Sequence, residues 1–226
     1  MGCLIVSRFL ILASKSPRRK ELLQDLGLEL MVLQSDVDET IDENDKPIEE
    51  KVMAIARKKA RAVAFRPEIC KEKNIVIASD TIVYLGEEIL EKPRNRREAF
   101  AMLKSLSGKK HSVITATIII DSIKEIYFQQ ADKTEVYFKN LDERIIKTYL
   151  DQNHYMDKAG SYGIQNKGEL LIEKIEGDYF NVMGLSIPTI RDYFKENYNE
   201  DLSMNQLLEK HGKIIEKFKS DGDNNE

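Results

Sequence analysis

Apolar residues follow two rhythms along this chain. Short unbroken runs predict buried strands, and apolar positions spaced by three and four predict helices. Phe9–Ala13 is the first unbroken run, and it stops at Ser14. Ser16 and Pro17 then have the chemistry of an N-cap and a first-turn proline, and Leu22, Leu23 and Leu26 carry a helical face to Gly27. Leu30–Ser35 predicts a second strand, followed by the acidic loop SDVDETIDEND. Pro47 opens a long helix to about Arg66, with Val52, Ile55, Ala56, Lys59, Ala60 and Val63 on one face. Asn74–Leu85 predicts a strand, which Gly86 turns into a returning strand over Glu88–Glu91. Asn95 caps a helix ending at Ser107 and Gly108. His111–Ile120, Ile123–Phe128 and Thr134–Phe138 predict an antiparallel meander, with helices following over Leu141–Asp151 and Ile187–Tyr198. From about Asn199 the chain is polar and charged. Met204–Phe218 keeps a weak helical period, and Lys219–Glu226 has the composition of a frayed end. This mixture predicts an α/β or α+β fold around a curved mixed sheet.

Composition narrows the class. A chain of 226 residues with 42% hydrophobic and 33% charged positions can bury a proper core. A net charge of −4 and a pI near 5.6 argue against a broad basic face for nucleic acid. Cys3 and Cys70 have no CxxC partner and no histidines beside them, which suits free thiols in a reducing compartment. No apolar run approaches the roughly 18 residues that span a bilayer. Met1–Ala13 lacks a basic start and a cleavage site, and Val6 stands where myristoylation requires Ser or Thr. The expectation is a cytoplasmic protein with no membrane partner.

Several residues break the pattern, and they carry the chemistry. Arg18 and Arg19 fall in the first turn of the helix after Pro17, where cations oppose the helix dipole at a cost of a few tenths to about 1 kcal/mol each. Together with the hydroxyls of Ser14 and Ser16 and free helix N–H groups, they form a candidate phosphate site; the plainer alternative is a solvated basic helix start. Asp80 interrupts the apolar run NIVIASDTIVYL. Buried there, it needs a partner, a metal or water. Lys59 lies on the apolar stripe of the long helix, where a lysine either snorkels to solvent or reaches a ligand. On that pattern alone, Lys59→Met should preserve or slightly raise stability while activity falls. Asp36, Asp38 and Glu39 offer hard oxygen ligands for Mg²⁺ or Mn²⁺, although an acidic loop is more often simply solvated. Lys92 in Leu90-Glu91-Lys92-Pro93 adds a cation after the hairpin. Lys158–Gln165 (KAGSYGIQ) has two glycines that admit a ligand close to backbone, and Gln165 can read a base edge through its amide. Gly177–Gly184 (GDYFNVMG) is a Gly-bounded loop. There is no P-loop, no GxGxxG and no HExxH. His111, His154 and His211 are scattered, which disfavours a histidine triad or zinc site. A cationic cradle plus carboxylates fits metal-assisted hydrolysis of a phosphoanhydride.

Taken in order, LASKSPRRKELL, the DVDET loop, ARKKA, ASDTIV with LEKP, KAGSYGIQ and GDYFNVMGL resemble the Maf family of nucleoside triphosphate pyrophosphatases, from about Phe9 to Tyr198. The resemblance implies a curved mixed sheet flanked by helices with a central cleft, akin to inosine triphosphate pyrophosphatases. It divides the chain into a domain over 1–198 and a charged tail over 199–226. It implies release of pyrophosphate from a nucleotide with Mg²⁺ or Mn²⁺, by a homodimer that removes non-standard or surplus nucleotides. The family's catalytic acid falls on Asp80 and its acidic-loop glutamate on Glu39, the two implied metal ligands. Its two lysines fall on Lys59 and Lys92, and its phosphate-binding residues on Ser14, Ser16, Arg18 and Arg19. Arg18, Thr81 and Gln165 match the branch acting on dTTP and UTP; the 7-methyl-GTP branch has Trp, Gln and Glu there. Lys15, Asn166 and Ser186 depart from the family pattern. The rival expectations are a nucleotide-sensing regulator of cell division without turnover, and a 7-methyl-GTP-type pyrophosphatase.

Overall fold

The computed structural model describes residues 10–40 and 46–218. The expectations for the start of the first strand, for the Ile41–Asp45 part of the acidic loop and for Lys219–Glu226 lie outside the described residues. Among the described residues seven strands and seven α-helices are formed: β1 Leu10–Leu12, α1 Pro17–Asp25, β2 Met31–Val32, α2 Ile48–Ala64, β3 Ile75–Leu85, β4 Glu88–Leu90, α3 Arg96–Leu106, β5 Lys110–Asp121, β6 Ile126–Phe138, α4 Glu143–Leu150, β7 Ile172–Glu176, α5 Tyr179–Met183, α6 Ile187–Tyr198 and α7 Asn205–Phe218. The strands order as β2-β1-β3-β5-β6-β7, with β4 paired to β3. The sheet is mixed: β1 pairs parallel with β2 and β3, whereas β4 and β7 pair antiparallel.

The chain forms two compact units. The first comprises Met1–Asp80, Thr115–Asp132 and Gly184–Glu209; the second comprises Thr81–Ile114, Lys133–Met183 and Lys210–Glu226. In the first, β1, α1, β2, α2 and β3 make two successive β-α-β crossovers. Strands in such an arrangement are covered on both faces, and they read as unbroken apolar runs. All three residues of β1 and the first six of β3 are buried. On α2 the buried positions are Val52, Ile55, Ala56, Lys59, Ala60, Val63 and Ala64, the stripe that the apolar spacing predicts. The second strand is shorter than expected. β2 comprises Met31 and Val32, both exposed, in register with Ile11 and Leu12 of β1. Among the described residues β2 is the last strand of the sheet, with a neighbour on one side only.

In the second unit, Asn95 caps α3 by accepting from the Glu98 N–H, and Asp142 caps α4 by accepting from the Ile145 N–H. The meander is corrected. Ile126–Phe138 is one strand, not two, because its polar middle lies on an exposed face and needs no break. β7 was not predicted; IEKIE is too charged to stand out as an apolar run. The Gly177–Gly184 segment also holds a short helix, α5. Asp178 starts it by accepting from the N–H groups of Phe180 and Asn181 at 3.2 and 2.9 Å. Thr134 Oγ1 accepts from the Asp178 N–H and from Asn181 Nδ2.

Gly177 allows that turn. Its φ is +123°, and a Cβ there would lie 2.9 Å from Thr134 Oγ1, 3.1 Å from Thr134 Cα and 3.2 Å from the Lys133 carbonyl. Two of those three neighbours are backbone and cannot step aside. Gly177→Ala should therefore cost about 2–4 kcal/mol, through both strain and overlap. Urea denaturation measures it, and a loss below about 0.5 kcal/mol would contradict the geometry.

α7 lies beyond the last recognisable motif, yet Leu207 and Phe218 are buried. The Phe218 ring stacks on Tyr179 at 6.4 Å, and His211 meets Tyr179 and Phe180 at 5.8 and 5.7 Å. No helix of the described residues is long and apolar enough to cross a membrane.

Candidate active site

The first unit gathers the densest set of predicted residues. The chain leaves β1 at Leu12 and reaches Ser14, which is buried. Ser16 occupies the N-cap of α1 with Pro17 in the first turn, but its hydroxyl makes no capping bond. Ser14 Oγ performs local anchoring instead, accepting from the Ser16 N–H at 3.1 Å and from Arg19 Nη1 at 3.4 Å. Arg18 is half-buried and Arg19 buried. Arg19 Nε donates to the Gly184 carbonyl at 2.6 Å. The hydroxyl of Ser79 donates to the same carbonyl at 3.0 Å. Part of Arg19 is thus used to hold the chain, which fixes the guanidinium in place rather than leaving it to wander in solvent. Burial lowers the pKa of Arg19, Asp80 opposes that, Arg18 adds to it and Glu39 opposes it. A guanidinium stays charged regardless, so Arg19 is a fixed buried cation.

Asp80 is buried in β3, and Lys59 is buried on α2. Lys59 Nζ lies 2.7 Å from Asp80 Oδ1 and 3.0 Å from Glu39 Oε1. Lys59 does not snorkel; its ammonium ties two carboxylates together. Asp36 and Asp38 are engaged elsewhere. Asp36 pairs with Lys15 at 2.9 Å, and Asp38 Oδ1 accepts from the N–H and hydroxyl of Thr40 at 2.9 and 2.6 Å. Of Asp36, Asp38 and Glu39, it is Glu39 that reaches Lys59.

The donor set can be tested against a divalent cation. Among the described residues no group of three or more His, Cys, Asp or Glu side chains gathers to hold a metal. An all-protein cage of the Ca²⁺ type is therefore absent from those residues. Mg²⁺ commonly takes one or two carboxylates and completes its shell with water and substrate phosphate. Glu39 and Asp80, joined at one ammonium, fit that habit.

Thr81, Lys92 and Gln165 belong to the second unit. Thr81 and Gln165 are partly exposed, and Lys92 is exposed. The segments bearing Lys92 and Gln165 are joined, because the Gly160 N–H donates to the Glu91 carbonyl at 3.2 Å. Gly160 and Ser161 are both left-handed, with φ of +67° and +66°. A Cβ on Gly160 would meet Val83 Cγ1 at 3.0 Å. Such backbone is uncommon for serine and survives only where its surroundings hold it.

Two features escaped the sequence reading. The Gly184 carbonyl anchors both Arg19 and Ser79; a backbone oxygen leaves no trace in residue identity beyond the glycine that frees its geometry. The other is His111, 2% exposed, with Nε2 2.7 Å from the Tyr162 hydroxyl. Its place in KHSV, at the start of a strand, was the one available signal. Burial pushes the His111 pKa from 6.5 down to about 4, against an opposing pull from Glu135. In the unfolded chain the imidazole titrates near 6.5, so it binds a proton over a range where the folded protein refuses one. The stability this confers is complete above about pH 6.5 and is lost as pH falls towards 4, by about 3 kcal/mol in all. His111→Gln removes that titration. Urea midpoints at pH 7 and pH 4.5 should fall further for the wild type than for His111→Gln; equal falls would refute the assignment.

The mixed α/β sheet thus carries a lysine held between two carboxylates, with an anchored, buried arginine in the same unit. A family model described as Maf-like protein matches residues 9–197. Relatives named dTTP/UTP pyrophosphatase include one from Thermoanaerobacter sp. strain X514, 44% identical over 190 residues, covering 84% of this chain and 97% of the relative. One from Thermosipho africanus is 44% identical over 199 residues, covering 88% and 98%. One from Fusobacterium nucleatum is 45% identical over 181 residues, covering 79% and 90%. This chain belongs to the Maf family. The solved structure of the Staphylococcus aureus Ham1 protein aligns over 57% of this chain and 71% of its own, at 12% identity and a TM-score of 0.36, a likeness too slight to carry an argument.

Proposed function

We propose that this protein hydrolyses dTTP and UTP to the monophosphate and pyrophosphate. The observation that carries the reading is the Lys59 ammonium held between Asp80 and Glu39. Pure nucleotide binding does not call for two carboxylates in a site meant for phosphate; hydrolysis does. The similarity to relatives bearing that name supports the substrate.

Asp80 orients the attacking water and accepts its proton. The water oxygen bonds to the α-phosphorus as the bond to the bridging oxygen breaks, and the electron pair leaves with pyrophosphate. Lys59 keeps the Asp80 carboxylate aimed, with Nζ 2.7 Å from Oδ1. Arg18, Arg19 and Lys92 bind the triphosphate and offset charge developing on the leaving group, with the hydroxyls of Ser14 and Ser16 beside the arginines. Glu39 and Asp80 would hold Mg²⁺ or Mn²⁺, which when bound neutralises phosphate charge. Thr81 and Gln165 select the base. The Gln165 amide offers a donor and an acceptor, which match the 4-oxo and N3–H edge shared by uracil and thymine. Cytosine presents an amino group and a bare N3 instead. The protein acts in the cytoplasm as a homodimer that removes surplus or non-standard nucleotides.

The test is kcat/KM for dTTP, UTP, CTP, ATP and 7-methyl-GTP, read by pyrophosphate release with Mg²⁺ or Mn²⁺. Wild type should favour dTTP and UTP. Gln165→Glu loses the amide donor and should narrow that preference by about one to two orders of magnitude. A preference for 7-methyl-GTP, or an unchanged Gln165→Glu profile, would overturn the base assignment. Binding without pyrophosphate release would replace the hydrolase with a nucleotide sensor.

A further inference from the structure

His111 and Tyr162 form a buried polar pair that the hydrolytic chemistry does not use. Their rings join Phe138 in a three-way edge-to-face cluster, with centroids 4.9 Å apart for His111–Phe138, 5.4 Å for His111–Tyr162 and 5.0 Å for Phe138–Tyr162. An apolar side chain would fill such a place without the cost of burying an imidazole. That cost is present here: His111 Nδ1 is buried and has no hydrogen-bond partner among the described residues. What the imidazole does have is the Tyr162 hydroxyl at Nε2. Tyr162 stands three residues before Gln165 in the segment that reads the base. The same segment is tied by the Gly163 N–H to the Tyr149 hydroxyl at 2.9 Å. It is crowded at Gly163, where a Cβ would meet Lys158 Cε at 2.7 Å. The backbone from 158 to 165 is therefore held at several points, and its left-handed residues need that hold.

We propose that His111 is a positioning residue for base selection: through Tyr162 it fixes the 158–165 segment so that Gln165 is presented in one orientation. This rests on the proposal that Gln165 reads the base. A donor–acceptor amide discriminates only when its orientation is fixed, since a turn of the amide exchanges its two groups. The pair thus separates selectivity from chemistry. Loosening it should weaken the choice of base while leaving the hydrolytic groups as they were.

The experiment compares wild type with Tyr162→Phe, His111→Leu and His111→Gln. Tyr162→Phe keeps the ring and deletes the hydroxyl. It should lower the kcat/KM ratio of UTP over CTP by about tenfold, with the loss in KM for UTP and kcat within about threefold. His111→Leu should do the same. His111→Gln can still place an amide near the Tyr162 hydroxyl and should keep the ratio within about twofold. A role confined to stability predicts melting temperatures that move together with an unmoved ratio, and that result would overturn the proposal. Should His111→Leu fail to fold, Tyr162→Phe decides alone. Hydrogen exchange of the 158–165 amides gives a readout without turnover. Faster exchange in Tyr162→Phe supports the proposal, and unchanged exchange overturns it. Absence of pyrophosphate release by the wild type would instead defeat the hydrolase reading, and the exchange data would still judge the positioning.

Discussion

Replacing Asp80 by Asn is expected to leave the fold intact and cut kcat by about 10²–10⁴, the usual cost of losing a water-orienting or proton-accepting carboxylate. The fold survives because the change is isosteric and the carboxamide oxygen still accepts from Lys59, which keeps Glu39 as a charged partner at 3.0 Å. Nucleotide binding should hold or tighten, since one negative charge leaves a site built for phosphate. The measurement is single-turnover pyrophosphate release alongside a binding titration and a thermal melt. A variant keeping more than about a tenth of kcat would move the catalytic role elsewhere and leave Asp80 as a structural partner of Lys59.

Lys59→Met is expected to lose both activity and stability. The apolar stripe of α2 argues for the opposite on stability, because methionine matches its neighbours. The structure reverses that expectation. Lys59 is 5% exposed and Asp80 8%, and their charged atoms are 2.7 Å apart. Removing the ammonium takes from the buried Asp80 carboxylate the cation 2.7 Å away and leaves two negative charges where a cation stood between them. Breaking a buried pair by deleting one member costs about 3–5 kcal/mol. The lower end is expected, because Glu39 is half-exposed and screened by solvent. A melting temperature lower by roughly 6–12 °C follows. The double variant Lys59→Met with Asp80→Asn should recover part of the loss, because its buried oxygen no longer carries charge. An unchanged melting temperature in the single variant would show that the pair contributes nothing to stability.

How much of this was legible beforehand differs by residue. The helix after Pro17, the buried face of α2, the cap at Asn95 and the hairpin at Gly86 follow from neighbours within four residues, and sequence spacing is enough to read them. The gap expected between Phe128 and Thr134 is continuous strand, because the polar residues there are exposed or partly exposed and a strand accommodates them without a turn. β7 was missed because alternating charge hides a strand with only Ile172 and Ile175 pointing inward. α7 was read only weakly; its buried Leu207 and Phe218 are spaced too widely to announce a face.

The sequence by itself determined most of the helices, the apolar strands, the family and which charged residues break the apolar pattern, because periodicity and motif order are properties of a linear string. It also showed that Lys59 and Asp80 were out of place among apolar neighbours. Only the tertiary structure decided what each of them meets. Lys59 reaches Asp80 across 21 positions, His111 reaches Tyr162 across 51, Ser79 reaches the Gly184 carbonyl across 105 and Arg19 reaches it across 165. No local rule joins such pairs. They form because buried polar groups cannot remain unpaired at low cost, and the partner is whichever group the packing of strands and helices brings within about 3 Å.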